Sequence, residues 1–310
     1  MNTNEILNLT STKTEKIKRL LELGLTRKEV AELMGIGYGF VQNVYAKHFG
    51  TGNRRARRQA ERFARKFGIE IEAYLPSNSN FSRAGLAQKL REAGLNVQSE
   101  SYNHTTRNYW KIVTDSSINS GGLGFELISP PMTGENGLEQ LEKACRVLNQ
   151  VGAKVNKSCG IHIHFDAQNF NLEQWKNLFF NYAKYETAID SFMPVSRRRN
   201  NNTYCESVKK QTLLNEIENS STVNQLTECM HSRYHKINTK SYSRYKTIEF
   251  RQHSGTVEFT KLKNWVYFLH HLVEFSKTSR TANQNLEAMN EFLPTEVHQF
   301  YKQRKETLNP

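Results

Sequence analysis

Three stretches of this chain alternate apolar and charged residues with period two, the pattern of a half-buried strand. In Phe67–Tyr74, Ile69, Ile71 and Ala73 share one face and Glu70 and Glu72 the other. In Cys159–Asp166, Ile161, Ile163 and Phe165 oppose His162, His164 and Asp166. In Thr247–His253, Ile248 and Phe250 oppose Glu249, Arg251 and His253. Expected strands run over 67–74, 109–114, 124–128, 159–166 and 246–253. Apolar residues three and four apart predict helices over 82–93, 136–151, 172–192 and 260–277. Within 136–151 the stripe of Leu138, Leu141 and Leu148 takes Cys145 into the core. Within 260–277, Leu262, Trp265, Val266, Leu269, Leu272 and Val273 form the stripe, leaving His270 and His271 as surface or packing histidines. Strands with hairpin-scale or helical interruptions indicate an α+β domain with a mainly antiparallel sheet.

The first 50 residues have a different texture. Residues 14–48 predict three short helices. Ile17, Leu20, Leu21 and Leu23 form a stripe that Gly24 ends, and Thr26 with Glu29 makes a capping box for Arg27–Met34. Val30, Leu33 and Met34 give that helix its apolar face. Gly35-Ile36-Gly37 is a tight turn, and Phe40, Val41, Val44 and Tyr45 follow at helical spacing. The segment resembles the helix-turn-helix of DNA-binding proteins. That resemblance puts Tyr38, Gly39, Gln42, Asn43 and Lys47 on the face that would read DNA; a small bundle for protein contacts is the alternative. The expected organisation is a helix-turn-helix domain over 1–50, a basic helical linker over 51–66 and a catalytic domain over 67–310.

Charge sharpens this division. The net charge is +13, and residues 1–66 hold fourteen Lys/Arg against six Asp/Glu. A basic head on a nearly balanced body suits a polyanion. In the linker, Arg54, Arg55, Arg57 and Arg58 are placed to lie on phosphates. No stretch nears the roughly 18 apolar residues of a membrane span, and Met1–Thr10 does not read as a signal peptide. Cys145, Cys159, Cys205 and Cys229 lack paired spacing, so a reducing cytoplasm is expected.

The polar faces of the strands carry the chemistry. Solvent-facing strands favour mixtures of Lys, Thr and Ser, whereas these read Glu-x-Glu, His-x-His and Glu-x-Arg-x-His, and Glu126 lies on a further strand. Two carboxylates about 4 Å apart repel by about 4 kcal/mol at an effective dielectric near 20. Gathering Glu70, Glu72, Glu126 and Glu249 therefore calls for a divalent cation, and oxygen ligands with a few imidazoles suit Mg²⁺ or Mn²⁺. The predominance of carboxylates, and the lack of a second pair to match Cys159-x-x-His162, disfavour a dedicated zinc site.

These residues also carry a family resemblance. Gly68-x-Glu70-x-Glu72, Trp110-x-x-x-x-Asp115-x-Ser117, Glu126-Leu-Ile-Ser129-Pro130-Pro131 and Cys159-Gly160-Ile-His162-Ile-His164 come in order. Arg197-Arg198 with Asn200 and Tyr204, Tyr234-His-Lys236-Ile-Asn238 and Glu249-Phe-Arg251-Gln-His253-x-Gly255-Thr256 before Trp265 complete the set. Over 67–276 the chain resembles the amidoligase family of bacteria and their phages, related to glutamine synthetase and glutamate–cysteine ligase. The resemblance implies a glutamine-synthetase-like fold and an enzyme that uses ATP and Mg²⁺ or Mn²⁺ to join a carboxylate to an amine. By positional matching, Glu72 and Glu126 would hold the metal near the substrate carboxylate. Glu70, His162 and Glu249 would hold the metal on the ATP phosphates. Arg251, with Glu72 and Glu249, would serve catalysis, and His164, Arg197, Arg198 and Lys236 would face ATP.

Several readings stay open. The arginines at 197–199 fit nucleotide phosphates, a substrate carboxylate or a solvated run, while Asp115 and Ser117 fit substrate positioning or a turn. Lys236 and Asn238 fit polar contacts at the site or structural hydrogen bonds, and Glu186, on an apolar stripe, fits a pair with one of the arginines. The acid and amine could be small or macromolecular, DNA is an expected partner, and a homo-oligomer is compatible. A kinase on the same scaffold, or a DNA-binding regulator that senses a ligand without turnover, are the competing functions.

Overall fold

The computed structural model describes residues 3–23, 25–48 and 63–309, and the chain divides into two units, Met1–Arg62 and Phe63–Pro310. In the first unit, α1 (Thr3–Leu7) precedes α2 (Lys13–Glu22), α3 (Arg27–Met34) and α4 (Tyr38–His48). The Thr26–Glu29 capping box forms, and Gly35 ends α3 in the left-handed region at φ 60°, where a side chain would be strained. Ile6, Ile17, Leu20, Val30, Ala31, Val41 and Val44 make the core. Ala31 is buried where Leu33 was expected, and Leu33 and Phe40 are exposed. Tyr38, Gly39 and Asn43 are also exposed, and Gln42 accepts a hydrogen bond from Arg27 at 2.9 Å. The Lys47 side chain, Gly24 and Arg54, Arg55, Arg57 and Arg58 lie outside the described residues.

The second unit begins earlier than the charge pattern suggests. Phe63–Lys66, the end of the expected helical linker, is not helical; Phe63 is buried and stacks on Phe67 at 5.2 Å. Beyond it, β1 (Phe67–Pro76), β2 (Val97–Ser99), β3 (Trp110–Val113), β4 (Gly122–Ile128), β5 (Gly160–Asp166), β6 (Ile237–Asn238) and β7 (Thr247–Ser254) form one sheet. Its order is β2-β3-β4-β1-β5-β7-β6, antiparallel except between β2 and β3. The expected helices form as α5 (Arg83–Glu92), α6 (Gly134–Gln150), α7 (Leu172–Ser191) and α11 (Phe259–Ser276). Too short or too polar for a clear period are α8 (Gln211–Asn219), α9 (Val223–Glu228), α10 (Ser241–Tyr245), α12 (Thr295–Leu308) and the strands β2 and β6.

The apolar strand residues and the buried stripes of α6, α7 and α11 form one core, Cys145 included. The sheet's charged face is thereby left open. One detail departs from strict alternation. Phe250 pairs with Ile163 and His253 with Ile161, so Arg251 and Gln252 together oppose His162 in a β-bulge. A one-residue slip exchanges the faces. His253, expected beside Glu249 and Arg251, therefore turns to the apolar side. It is 1% exposed and packs against Trp265 at 5.5 Å, and burial pushes its pKa down to about 3. His270 is a buried packing residue against Phe63, and burial pushes it to about 3 as well.

Just past the bulge, Gly255 donates its N–H to the Cys159 carbonyl at 2.8 Å. A Cβ there would lie 2.5 Å from Cys159 Cβ. Gly255→Ala should therefore lower unfolding stability by about 1–3 kcal/mol, measured by urea denaturation; an unchanged midpoint would mean that this contact relaxes freely.

Candidate active site

Strand register converts the three charged faces into one cluster. Glu70 stands opposite His162, Glu72 opposite Glu126, and His164 opposite Glu249. His162 sits at the centre: its Nδ1 is 3.0 Å from Glu70 and 3.8 Å from Glu249, and its Nε2 is 3.6 Å from Glu72. His164 Nε2 lies 3.3 Å from Glu70. Arg251 donates to Glu249, whose other oxygen accepts from Asn238 Nδ2 at 2.5 Å. The Gly160 N–H donates to Glu72 at 2.6 Å. All of these side chains except the glycine line a cleft of about 1760 Å³.

Within the cluster lie two sets of ligand atoms, Glu70–His162–Glu249 and Glu72–Glu126–His162, each within 4.8 Å of one another. Their protonation is uneven. Burial and then the charges of Glu70, Glu72 and Asp115 hold the Glu126 carboxyl well above the usual carboxylate range. Burial would also raise Glu70, but hydrogen bonds from His162 and His164 outweigh it and hold Glu70 well below that range. Glu249 is likewise lowered, because Arg251 and the histidines overcome its burial. Burial would lower His164, and the bond to Glu70 reverses the sign. Arg251 thus offsets charge in one set, and the Glu72–Glu126 set has no arginine or lysine within ion-pair distance among the described residues. Carboxylate oxygens with one imidazole, carrying surplus negative charge, fit a hard divalent cation.

A family model described as "Putative amidoligase enzyme" matches residues 64–273, about two thirds of the chain. The chain belongs to this amidoligase family. No curated protein sequence matches it significantly. Among solved structures it is similar to one titled "Crystal structure of novel glutamine synthase homolog", at 12% identity and a TM-score of 0.41 over 81% of this chain and 69% of that one.

Other expected site residues divide between the amidoligase cleft and its supports. Arg197 lines the cleft though only 4% exposed, and it donates to the Cys159 carbonyl at 2.5 Å. Asp115 and Ser117 line it too, while Asp115 caps the Ser117 N–H at 2.7 Å, so the turn and the wall are one feature. Arg198 points elsewhere, donating to the Met193 carbonyl at 2.6 Å and to Asn309 at 2.8 Å, so it does not face the cleft as expected. Lys236 does not reach it either. Its ammonium is fully buried between Glu186 at 2.9 Å and Asp190 at 2.7 Å. Glu186 thus pairs with a lysine rather than an arginine. Arg199 is exposed, and its N–H donates to Asp190 at 2.8 Å.

Several amidoligase cleft residues carry no sequence pattern that flags them alone. Lys111 Nζ donates to Asn103 O, Asn103 Oδ1 and Thr105 O at 2.9–3.0 Å, tying the loop before β3 to the sheet. Tyr245 donates to the His104 carbonyl at 2.7 Å and so joins that loop to the segment before β7. Gln252, fully buried by the bulge, bonds Tyr182, Asp190 and the Arg197 carbonyl. The one available signal is three Arg–Tyr neighbours, Arg107-x-Tyr109 and Arg233-Tyr234 in loops and Arg244-Tyr245 at the end of α10.

Two outcomes follow from this geometry. Lys236→Ala strands two buried carboxylates and should cost about 3–5 kcal/mol in urea denaturation; a change below about 1 kcal/mol would show the pair to be solvated. Glu126, with a raised folded pKa, gives stability that is present below its unfolded pKa and lost as pH rises through the folded value. A divalent cation bound there would take the proton's place. Added Mg²⁺ or Mn²⁺ should therefore raise Tm more at pH 8 than at pH 6, and equal or absent shifts would count against a cation on Glu72 and Glu126.

Proposed function

We propose that this protein is an ATP- and Mg²⁺-dependent (or Mn²⁺-dependent) carboxylate–amine ligase. The observation that carries the reading is the pair of ligand sets sharing His162, with the Arg251 guanidinium at their edge. Family membership supports the same reaction class. In this reading, a substrate carboxylate oxygen attacks the γ-phosphoryl group, ADP leaves, an amine attacks the acyl carbon, and phosphate leaves as the amide forms.

Glu72 and Glu126 would hold the cation beside the substrate carboxylate, and Glu70, His162 and Glu249 the cation on the nucleotide phosphates. The cations, when bound, would offset the phosphate charge that otherwise repels the incoming carboxylate. Arg251 would stand where charge develops on the transferred group, held by Glu249 so that no reorganisation is needed. Asn238 would fix the second Glu249 oxygen. Arg197, buried yet open to the cleft, would take an anionic oxygen of nucleotide or acid, and His164, tied to Glu70 and to Thr247 at 3.0 Å, would face the nucleotide. The first unit, through Tyr38, Gln42, Asn43, Lys47 and the arginines at 54–58, would bring this chemistry to DNA.

Arg251→Ala should lower ATP consumption by about 10²–10³-fold, and Glu70→Ala and Glu249→Ala by at least as much, in a phosphate-release assay on folded variants. Unchanged ATP consumption in the Glu70 and Glu249 variants would refute the cation site. A mass gain corresponding to loss of water between two partners incubated with ATP, Mg²⁺ and the protein would identify the amide; transfer of phosphate alone would favour a kinase.

A further inference from the structure

Three segments not explained by the ligand sets line the same cleft as the acidic floor, and each brings an arginine to a tyrosine ring. Arg107 lies 5.9 Å from the Tyr109 centroid, Arg233 5.2 Å from Tyr234, and Arg244 5.7 Å from Tyr245. Besides the Tyr245–His104 bond, Tyr102 bonds His104 at 3.2 Å, and Tyr204 packs edge-on against Tyr234 at 5.1 Å. All of these residues line the one cleft. The Tyr102 and Tyr204 rings are nonetheless 53% and 51% exposed.

The same opening carries cations without acidic partners. Lys66, Lys157, Arg233, Arg244 and Lys246 line it, and none has a carboxylate within ion-pair distance among the described residues. Residues 67–310 are close to charge balance, so this concentration is local. The cleft, at about 1760 Å³, is larger than the roughly 300–1,000 Å³ typical of small-molecule sites. A nucleotide bound at the floor would leave much of the mouth unused.

We infer that the cleft mouth is a track for single-stranded nucleic acid. Its phosphates meet Arg233, Arg244 and Lys246, and its bases stack on Tyr102 and Tyr204. A cleft mouth that offers both cations and exposed rings matches the phosphates and bases of a strand. An acidic peptide would satisfy the cations and leave the rings bare. A duplex keeps its bases stacked inside the helix, so a single strand is the form that presents them to these rings. The inference rests on the ligase reading only in making the strand the carrier of the acid or the amine.

The test is fluorescence anisotropy of the full-length protein with a labelled 12-nucleotide oligo-dT, without ATP. Affinity should fall with salt at a log–log slope of roughly −0.7 for each phosphate contacted. The triple variant Arg233→Ala/Arg244→Ala/Lys246→Ala should bind at least about tenfold more weakly and flatten the slope by about two. Tyr102→Ala/Tyr204→Ala removes exposed rings, which spares the fold, and should weaken binding about tenfold with the slope unchanged. An abasic 12-mer should bind the wild type about as weakly as oligo-dT binds the ring variant. The inference is overturned if both variants bind like wild type, if only Gln42→Ala/Asn43→Ala loses binding, if polyglutamate competes as well as unlabelled oligo-dT, or if saturating Mg²⁺-ATP displaces the strand completely. Strand binding without ATP consumption would defeat the ligase reading alone, and ATP consumption without strand binding would defeat this inference alone.

Discussion

Like charges crowded onto one face of a sheet are the constraint around which this protein is arranged. Glu70, Glu72, Glu126 and Glu249 arrive from three strands, and in a medium less polar than water each pair costs several kcal/mol. The structure answers part of that repulsion itself. His162 stands between Glu70, Glu72 and Glu249, His164 lies beside Glu70, and Arg251 closes on Glu249. Arg251 and His164 lie on the Glu70–Glu249 side, and His162 reaches Glu72 as well. Glu126 receives no such partner, and burial with its acidic neighbours raises its pKa instead. That side of the cluster is where a bound cation would relieve the most repulsion.

A site of this kind needs a rigid backing, because ligand atoms must meet within a few tenths of an ångström. The sheet provides it through a core on its other face, where Ile69, Ile71, Ile161, Ile163 and Phe250 are wholly or almost wholly buried. A second, polar backing lies behind the bulge. Asp190 accepts from Lys236, Gln252 and the Arg199 N–H, and Gln252 in turn holds the Arg197 carbonyl. The Lys236 carbonyl accepts from the Arg251 N–H at 2.9 Å. The backbone at Arg197 and at Arg251 is thus fixed by one buried network. Lys236 serves the site by positioning, without touching it.

Opposite this floor, the Lys111-anchored loop and Tyr245 form a roof of different chemistry. Glu100 organises it, accepting from Tyr109, Arg107 and Asn103, and the Tyr109 hydroxyl foremost holds its carboxyl at about 2. The floor is acidic and buried, whereas the roof is basic, aromatic and partly exposed. Charge of opposite sign on facing walls would orient a ligand that carries both phosphate and a reactive carboxyl or amine.

The sequence determined the long elements and most of the floor. Period two fixed which side of β1 and β5 is charged, because successive side chains in a strand must point to opposite faces. It could not reveal the bulge, since one extra residue in β7 leaves the written pattern unchanged while moving His253 from the charged face to the core. Nor could it place Lys236 or Arg198: a charged residue in a polar segment looks the same whether it faces a cleft or pairs with a carboxylate 46 or 50 positions away. The roof was hidden for a related reason, because its members lie on loops and the short α10, whose meeting depends on long-range hydrogen bonds such as Tyr245 to His104. Local periodicity decided what each strand offers, and only tertiary packing decided which offers meet.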